Sequence, residues 1–411
     1  MPAGAHPRDL HAVLRHRRGR GSVRTIAVVT VARSDYGVIL PVLKRIQADA
    51  ALRLQLLVSG AHLAPEFGLT IRGIEADGFT AASRVEMLLS SDSPAGVTTS
   101  LGLGVMGFGA VYARDRPDIV LVLGDRPEMF AAALAALPFA IPVAHVHGGE
   151  LTHGAIDDAL RHAMTKLSHL HFVSTEAYAQ RVRQLGEESW RITVSGAPAL
   201  DNLATLPLLT RAELEARTGV ALGDDPLLVT LHPVTLEPAQ GDQYTTELLA
   251  AIAEAAMPVI FTQPNADAGG RQIGERVDEF VRAHPFAHRV DNLGVQAYFS
   301  LMRIAAAMVG NSSSGIIEAP SFALPVVNIG SRQSGRVRAR NVIDVAPERG
   351  AILGGIRRAA SSDFRAGLRG MENPYGSGHA AEAIVERLKS VPLDAALIAK
   401  RFHDILPAPA G

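Results

Sequence analysis

The sequence predicts an α/β protein of two successive doubly wound lobes, each on a parallel sheet and facing a common cleft. Three observations carry this. Short continuous runs of Val, Ile and Leu alternate with longer stretches of helical spacing, the pattern of strands covered by helices on both faces. The alternation loosens around residues 200–211 and then restarts, which puts a boundary at 203/204. The 411 residues also suit two or three domains at roughly 100–200 residues each.

In the first lobe (23–203), residues 25–31 (TIAVVTV) read as a strand and 36–50 as a helix, followed by a strand at 52–60 and a helix at 63–77. Further strands are expected at 119–124, 143–147, 170–175 and 191–196. In the second lobe (204–411) strands are expected at 226–233, 258–264, 307–311 and 325–330, and a helix at 380–390, with a frayed tail from 406. Residues 1–22 hold Arg8, Arg15, Arg17, Arg18 and Arg20 without an apolar stretch, so they read as a disordered basic tail rather than a secretory signal.

Composition narrows the function. Lys plus Arg number 40 against 41 Asp plus Glu, which gives no electrostatic reason to expect a nucleic-acid partner. With no cysteine there is no disulfide, thiolate nucleophile or Cys-based zinc site, and a reducing cytoplasm is the expected setting. No apolar run nears the roughly 20 residues of a membrane span, so no membrane partner is expected.

Ligands of open parallel sheets sit beyond the carboxyl ends of strands, and four such ends carry polar clusters. After the first strand come Arg33, Ser34 and Asp35, suited to a phosphate, or simply a capped turn with Ser34 or Asp35 as the cap. A G-x-G-x-x-G pattern occurs instead at Gly102, Gly104 and Gly107; no strand precedes it, so helix packing explains it better than a dinucleotide. The second cluster is Gly124, Asp125, Arg126, Pro127 and Glu128, where Asp125 could be a helix cap and Pro127 suits the first helical position.

The third cluster is the densest: His145, His147, Gly148, Gly149, Glu150, His153 and Gly154, then Asp157, Asp158, Arg161 and His162. In the strand expected at 143–147, His145 and His147 project to the same face. At helical spacing Asp157 meets Arg161 and Asp158 meets His162. A divalent metal is a competing reading of His-x-His beside carboxylates, but no spacing as specific as H-E-x-x-H closes it. The fourth cluster, Asn311, Ser312, Ser313, Ser314, Gly315 and Glu318, joins a strand to a helix as a pyrophosphate cradle would, with Glu318 placed for a ribose diol. A capping box would need Ser or Thr where Gly315 stands. Arg332, Gln333, Arg336, Arg338 and Arg340 follow as a basic loop, either facing the anion or merely solvated, and His232 ends a strand.

Taken together, ARSDYG (32–37), GDRPE (124–128), residues 145–175, GNSSSGIIEAP (310–320) and NIGSRQSGR (328–336) resemble the hydrolysing branch of the UDP-N-acetylglucosamine 2-epimerase superfamily, in the family's order. The resemblance implies a GT-B-type fold of two Rossmann-like lobes. It implies conversion of UDP-N-acetylglucosamine to UDP and N-acetylmannosamine for sialic-acid-type biosynthesis, without metal or nicotinamide. The same chemistry on a UDP-2,4-diacetamido-trideoxyhexose is the nearest alternative, ahead of a glycosyltransferase or a silent UDP-sugar-binding module. The resemblance makes Asp125 and Asp157 catalytic carboxylates, with the third acid/base group either His147 or Glu150. It places Arg33, Arg126, Arg161, His232, Asn311, Ser312, Ser313, Ser314, Gly315, Glu318 and Arg336 around the UDP-amino sugar. A homodimer or homotetramer is the expected assembly.

Overall fold

The computed structural model describes residues 23–91, 93–152, 156–233, 238–263, 270–291 and 293–405. Residues 1–22 and 406–411, expected to be a disordered tail and a frayed end, lie outside them, as do His153 and Gly154. Among the described residues, thirteen strands form two wholly parallel sheets. The first contains β1 (Arg24–Thr30), β2 (Leu52–Ser59), β3 (Ala81–Val85), β4 (Ile119–Leu123), β5 (Val143–Val146), β6 (Leu170–Val173) and β7 (Ile192–Val194), in the order β3-β2-β1-β4-β5-β6-β7. The second contains β8 (Leu227–Thr230), β9 (Val259–Thr262), β10 (Ala287–Val290), β11 (Ala307–Gly310), β12 (Val326–Ile329) and β13 (Val342–Val345), in the order β10-β9-β8-β11-β12-β13. Each winds outward one way, returns to the middle and winds outward the other way. The switch points, between β1 and β4 and between β8 and β11, are where doubly wound sheets open a crevice for ligand.

Seven helices enter the account: α1 (Arg33–Ala48), α2 (Pro94–Asp115), α3 (Pro127–Ala136), α4 (Ile156–Leu167), α5 (Gly294–Ile304), α6 (Ser314–Ile317) and α7 (Ala380–Ser390). The central strands are buried throughout, as their unbroken apolar runs require; all five residues of β4 are buried. The expected helix at 63–77 is one short 3-10 turn at Pro65–Phe67 followed by a helix at Ile71–Ala76, because Pro65 and the left-handed Gly68 interrupt it.

The chain divides into two compact units that are discontinuous in sequence. One holds the residues up to Gly149, Leu160–Pro198 and those from His379 on; the other holds Glu150–Ala159 and Ala199–Gly378. The crossing at Pro198/Ala199 lies just before the expected boundary at 203/204. The larger departure is α7, which forms where expected but packs into the first unit. Its Ile384, Val385 and Leu388 join the core that contains Ile26, Leu43 and Leu121, and Lys389 pairs with Asp49 at 2.9 Å. Burying three such side chains is worth roughly 1.5–3 kcal/mol each, enough to draw the chain end back across sequence.

α2 corrects a second reading. It is uncharged from Pro94 to Ala113 and is long and apolar enough to cross a membrane by length and composition. Phe108, Val111 and Tyr112 are buried in the first unit's core. The glycine pattern lies inside this helix, where a Cβ on Gly104 would meet Met87 Cε at 2.5 Å and one on Gly107 would meet Val85 Cγ1 at 2.6 Å. Packing accounts for those two; Gly102 faces open space.

Candidate active site

In the first unit, α1 starts directly after β1. Its cap residue is Ala32, with no side-chain cap, so neither Ser34 nor Asp35 plays that part. Asp35 is buried and turns back, its Oδ2 accepting from Thr30 Oγ1 at 3.0 Å and from the Val31 amide at 2.9 Å. Thr30, having donated to Asp35, accepts from His62 Nε2 at 3.0 Å, and His62 Nδ1 lies 2.7 Å from Thr70 Oγ1. Burial pushes the His62 imidazole pKa down, against the pull of Asp35. This chain of bonds braces the turn that leaves Arg33 and Ser34 exposed.

After β4, Gly124 takes a φ of 73° and delivers Asp125 ahead of α3, whose cap residue is Arg126 and whose first residue is Pro127. Asp125 is therefore not the cap. Its Oδ2 accepts from Arg161 Nη2 of α4, and the Arg161 side chain is only 4% exposed. Arg161 Nη1 also donates to the His147 carbonyl at 3.0 Å. Arg126 Nη2 reaches Ser34 Oγ at 3.4 Å, bringing the first two clusters together.

β5 ends at Val146, and His147 adopts a φ of 64°. The expectation that His145 and His147 share a strand face fails here, because a left-handed residue breaks the alternation. Such a conformation costs a non-glycine residue about 1–3 kcal/mol and clusters at functional sites. His147 is buried, with Nδ1 2.9 Å from Ser174 Oγ just past β6. Gly149, at φ 77°, has no room for a side chain: a Cβ would stand 2.6 Å from the Tyr178 carbonyl oxygen.

Glu150 and Asp157 belong by contact to the second unit. Glu150 is 1% exposed and its Oε2 stands 3.1 Å from Arg336 Nη1. Arg336 Nε donates to the Leu151 carbonyl at 2.9 Å, and the Thr152 amide donates to Asp158 Oδ1 at 2.7 Å. The basic loop is thus not simply solvated: Arg336 is buried and Arg338 pairs with Asp344 at 2.7 Å.

At the second switch point, Asn311 binds the backbone of His232 in both directions, accepting from its amide at 2.7 Å and donating to its carbonyl at 2.8 Å. The Asn311 side chain thereby clasps β8 to β11, while its own carbonyl accepts from Gln333 Nε2 at 2.8 Å. Gly310, at φ 136°, is required: a Cβ would lie 1.9 Å from the Thr230 carbonyl oxygen. Ser312, Ser313 and Ser314 are half-buried around this turn, and Glu318 is buried. The helix that follows is a single turn, α6, so an anion here would be met by loop amides and hydroxyls more than by a helix dipole. Gly315 has a packing role, since its Cβ would meet Val326 Cγ1 at 2.8 Å.

Tyr298 of α5 escaped sequence reading. Its phenol is pushed up to about 12 by burial first, then by the charge of Glu318, while the hydroxyls of Ser314, Thr230 and Ser312 pull the other way. A lone Tyr on an amphipathic helix gives no sequence signal of that neighbourhood. Among the described residues, no three His, Asp or Glu side chains are grouped to hold one metal ion.

Residues 44–389 match the family model for UDP-N-acetylglucosamine 2-epimerase. The chain belongs to that family. Its relatives include a GDP/UDP-N,N'-diacetylbacillosamine 2-epimerase (hydrolyzing) of Campylobacter jejuni, 38% identical over 93% of this chain and 100% of that protein. A UDP-N,N'-diacetylbacillosamine 2-epimerase (hydrolyzing) of Legionella pneumophila is also 38% identical, over 92% and 99% of the two chains. Among solved structures, a Neisseria meningitidis UDP-GlcNAc 2-epimerase bound to UDP-GlcNAc aligns with a TM-score of 0.77 at 21% identity, covering 89% of this chain and 99% of that one. That likeness shows the fold, the GT-B-type pair of Rossmann-like units.

Proposed function

We propose that this family member is a hydrolysing 2-epimerase whose substrate is a UDP-2,4-diacetamido-trideoxyhexose. The observation that carries this is the 38% identity, over nearly the whole length of both chains, to two relatives named for N,N'-diacetylbacillosamine. It favours the diacetamido alternative over UDP-N-acetylglucosamine and the sialic-acid route.

The route is elimination followed by hydration. A base removes the C2 proton, the C–H electron pair forms the C1=C2 double bond, and the C1–O pair leaves with UDP. Water then adds its oxygen to C1, and a proton is delivered to C2 from the opposite face. The oxidation state returns to its starting value, so no redox cofactor is needed. The C2 proton is weakly acidic, so a positioned base is required, and the departing diphosphate needs donors and cations.

Asp125, held by Arg161, and Asp157 supply proton transfer in this reading. The third group is His147 or Glu150. The first has Ser174 on its Nδ1, and the second is ion-paired with Arg336. Ser312, Ser313, Ser314 and Glu318 hold the nucleotide, with Arg33, Arg126 and His232 on the phosphates. Incubation with UDP-diacetamido-trideoxyhexose and UDP-N-acetylglucosamine, with NMR identification of each released sugar, is the test. Release of the 2-epimerised diacetamido sugar at a kcat/KM at least tenfold above the other substrate is expected. The opposite preference rejects the assignment.

A further inference from the structure

We propose that His145 is a positioning residue that fixes the carbonyl of Gly124 and thereby aims Asp125. It would act as a neutral imidazole protonated on Nε2, outside the proton transfers of the reaction. The inference rests on the function proposed above.

His145 is fully buried on β5. Its Nε2 stands 2.7 Å from the Gly124 carbonyl oxygen, which can only accept, so this nitrogen carries a hydrogen. Its Nδ1 lies 3.2 Å from Thr165 Oγ1 of α4. A doubly protonated ring would satisfy the same partners, so its surroundings decide the charge. Burial disfavours the cation most, and the bond to the Gly124 carbonyl favours it next. Among the charged and titratable neighbours, His171 on β6 and Arg161 on α4 oppose it and Asp125 favours it; the net effect pushes the imidazole down to about 3. The ring is therefore neutral near pH 7, and its Nδ1 competes with the Arg161 carbonyl, 3.1 Å from Thr165 Oγ1, for that hydroxyl's hydrogen.

The geometry has one beneficiary. Thr165 and Arg161 stand one turn apart on α4, and each grips the same dipeptide. Arg161 takes the Asp125 carboxylate. Thr165, through His145, takes the carbonyl immediately before it. Gly124 sits at a φ of 73° and lacks a side chain to hold it; its amide is tied to the Val146 carbonyl at 3.0 Å, and the His145 bond holds its carbonyl, the side of the peptide that leads into Asp125. Gly148 closes over the pair, where an added Cβ would be 3.1 Å from both His145 Nδ1 and Thr165 Oγ1. A misplacement of about 1 Å can cost on the order of 100-fold in rate.

The test compares His145→Gln, whose side-chain amide can reach the Gly124 carbonyl, with His145→Asn and His145→Leu, which cannot. Gln is expected to keep kcat within about fivefold. Asn and Leu are expected to lose about 10- to 100-fold in kcat, with KM within threefold and both limbs of the pH–rate profile unmoved. Gln as inactive as Leu, with a limb of the profile lost, would make His145 an acid/base group and overturn the proposal. Full activity in Asn and Gln alike would overturn it too, and that pair decides the matter even if Leu does not fold. Nitrogen-15 shifts of the wild-type ring provide a readout independent of turnover. An unprotonated Nδ1 that does not titrate between pH 5 and 9 is expected, and a ring protonated on Nδ1, or one that titrates, rejects the assignment. If wild-type protein releases no UDP from either sugar, the functional reading fails separately, and the ring shifts still judge His145.

Discussion

Replacing Asp125 by Asn separates catalysis from architecture more cleanly than any other single change. The Arg161 side chain is 4% exposed and that of Asp125 is 19% exposed. Removing one member of a buried pair outright costs about 3–5 kcal/mol. Asn keeps the shape and an acceptor oxygen, Asp125 is partly solvated, and Arg161 retains the His147 carbonyl. The loss should therefore be nearer 1–2 kcal/mol, which lowers the melting temperature of a unit this size by roughly 2–8 °C. The rate loss should be much larger, about 10²–10⁴-fold, because the amide cannot take or give a proton at neutral pH. Coupled measurement of UDP release at saturating substrate, with calorimetric titration of UDP on the same preparation, reads both quantities. The variant should bind UDP as the parent does and turn over at least 100-fold more slowly. A loss below tenfold would refute the reasoning and leave Asp125 as a structural partner of Arg161.

Ser314→Ala and Glu318→Gln should each weaken UDP binding severalfold by calorimetry; unchanged affinity in both rejects the loop as the nucleotide site. Gly310→Ala forces a Cβ to within 1.9 Å of a backbone oxygen at a φ of 136°, and should cost on the order of 3 kcal/mol; an unchanged denaturation midpoint contradicts this. Acid should destabilise the protein early. His145 and His169 are both pushed down to about 3, chiefly by burial, against about 6.5 when unfolded. The unfolded state binds more protons between those values, so stability is fully present above about 6.5 and is lost as the pH falls toward 3. Urea unfolding at pH 7, 6 and 5 should show the decline, and a flat profile over that range excludes it.

The central strands were legible because both their faces are buried and their sequences are unbroken apolar runs. β3, β10 and β13, three of the four sheet edges, were not; the fourth, β7, was found because its run ITV carries no charge. The first three, AASRV, AHRV and VIDV, mix charges into short runs, as strands with one unpaired side can. Periodicity also failed at His147, because alternation presumes that the strand continues and nothing local marks a left-handed histidine. The polar clusters were found by type and position, but not who holds whom. That Asn311 spends its amide on the His232 backbone, or that Arg336 lies buried against Glu150, follows from contacts distant in sequence. The return of α7 to the first unit is likewise invisible to a reading along the chain. Its amphipathic pattern specifies a buried face but not the surface that covers it.

The central claim is that the C2 proton is removed and replaced. Turnover of the UDP-diacetamido-trideoxyhexose in D₂O, followed by NMR of the sugar at the moment of release, tests it directly. The account predicts a 2-epimerised product carrying deuterium at C2. A product that keeps hydrogen at C2 and the substrate's configuration would mean plain hydrolysis of the sugar–phosphate bond, and would contradict elimination and rehydration.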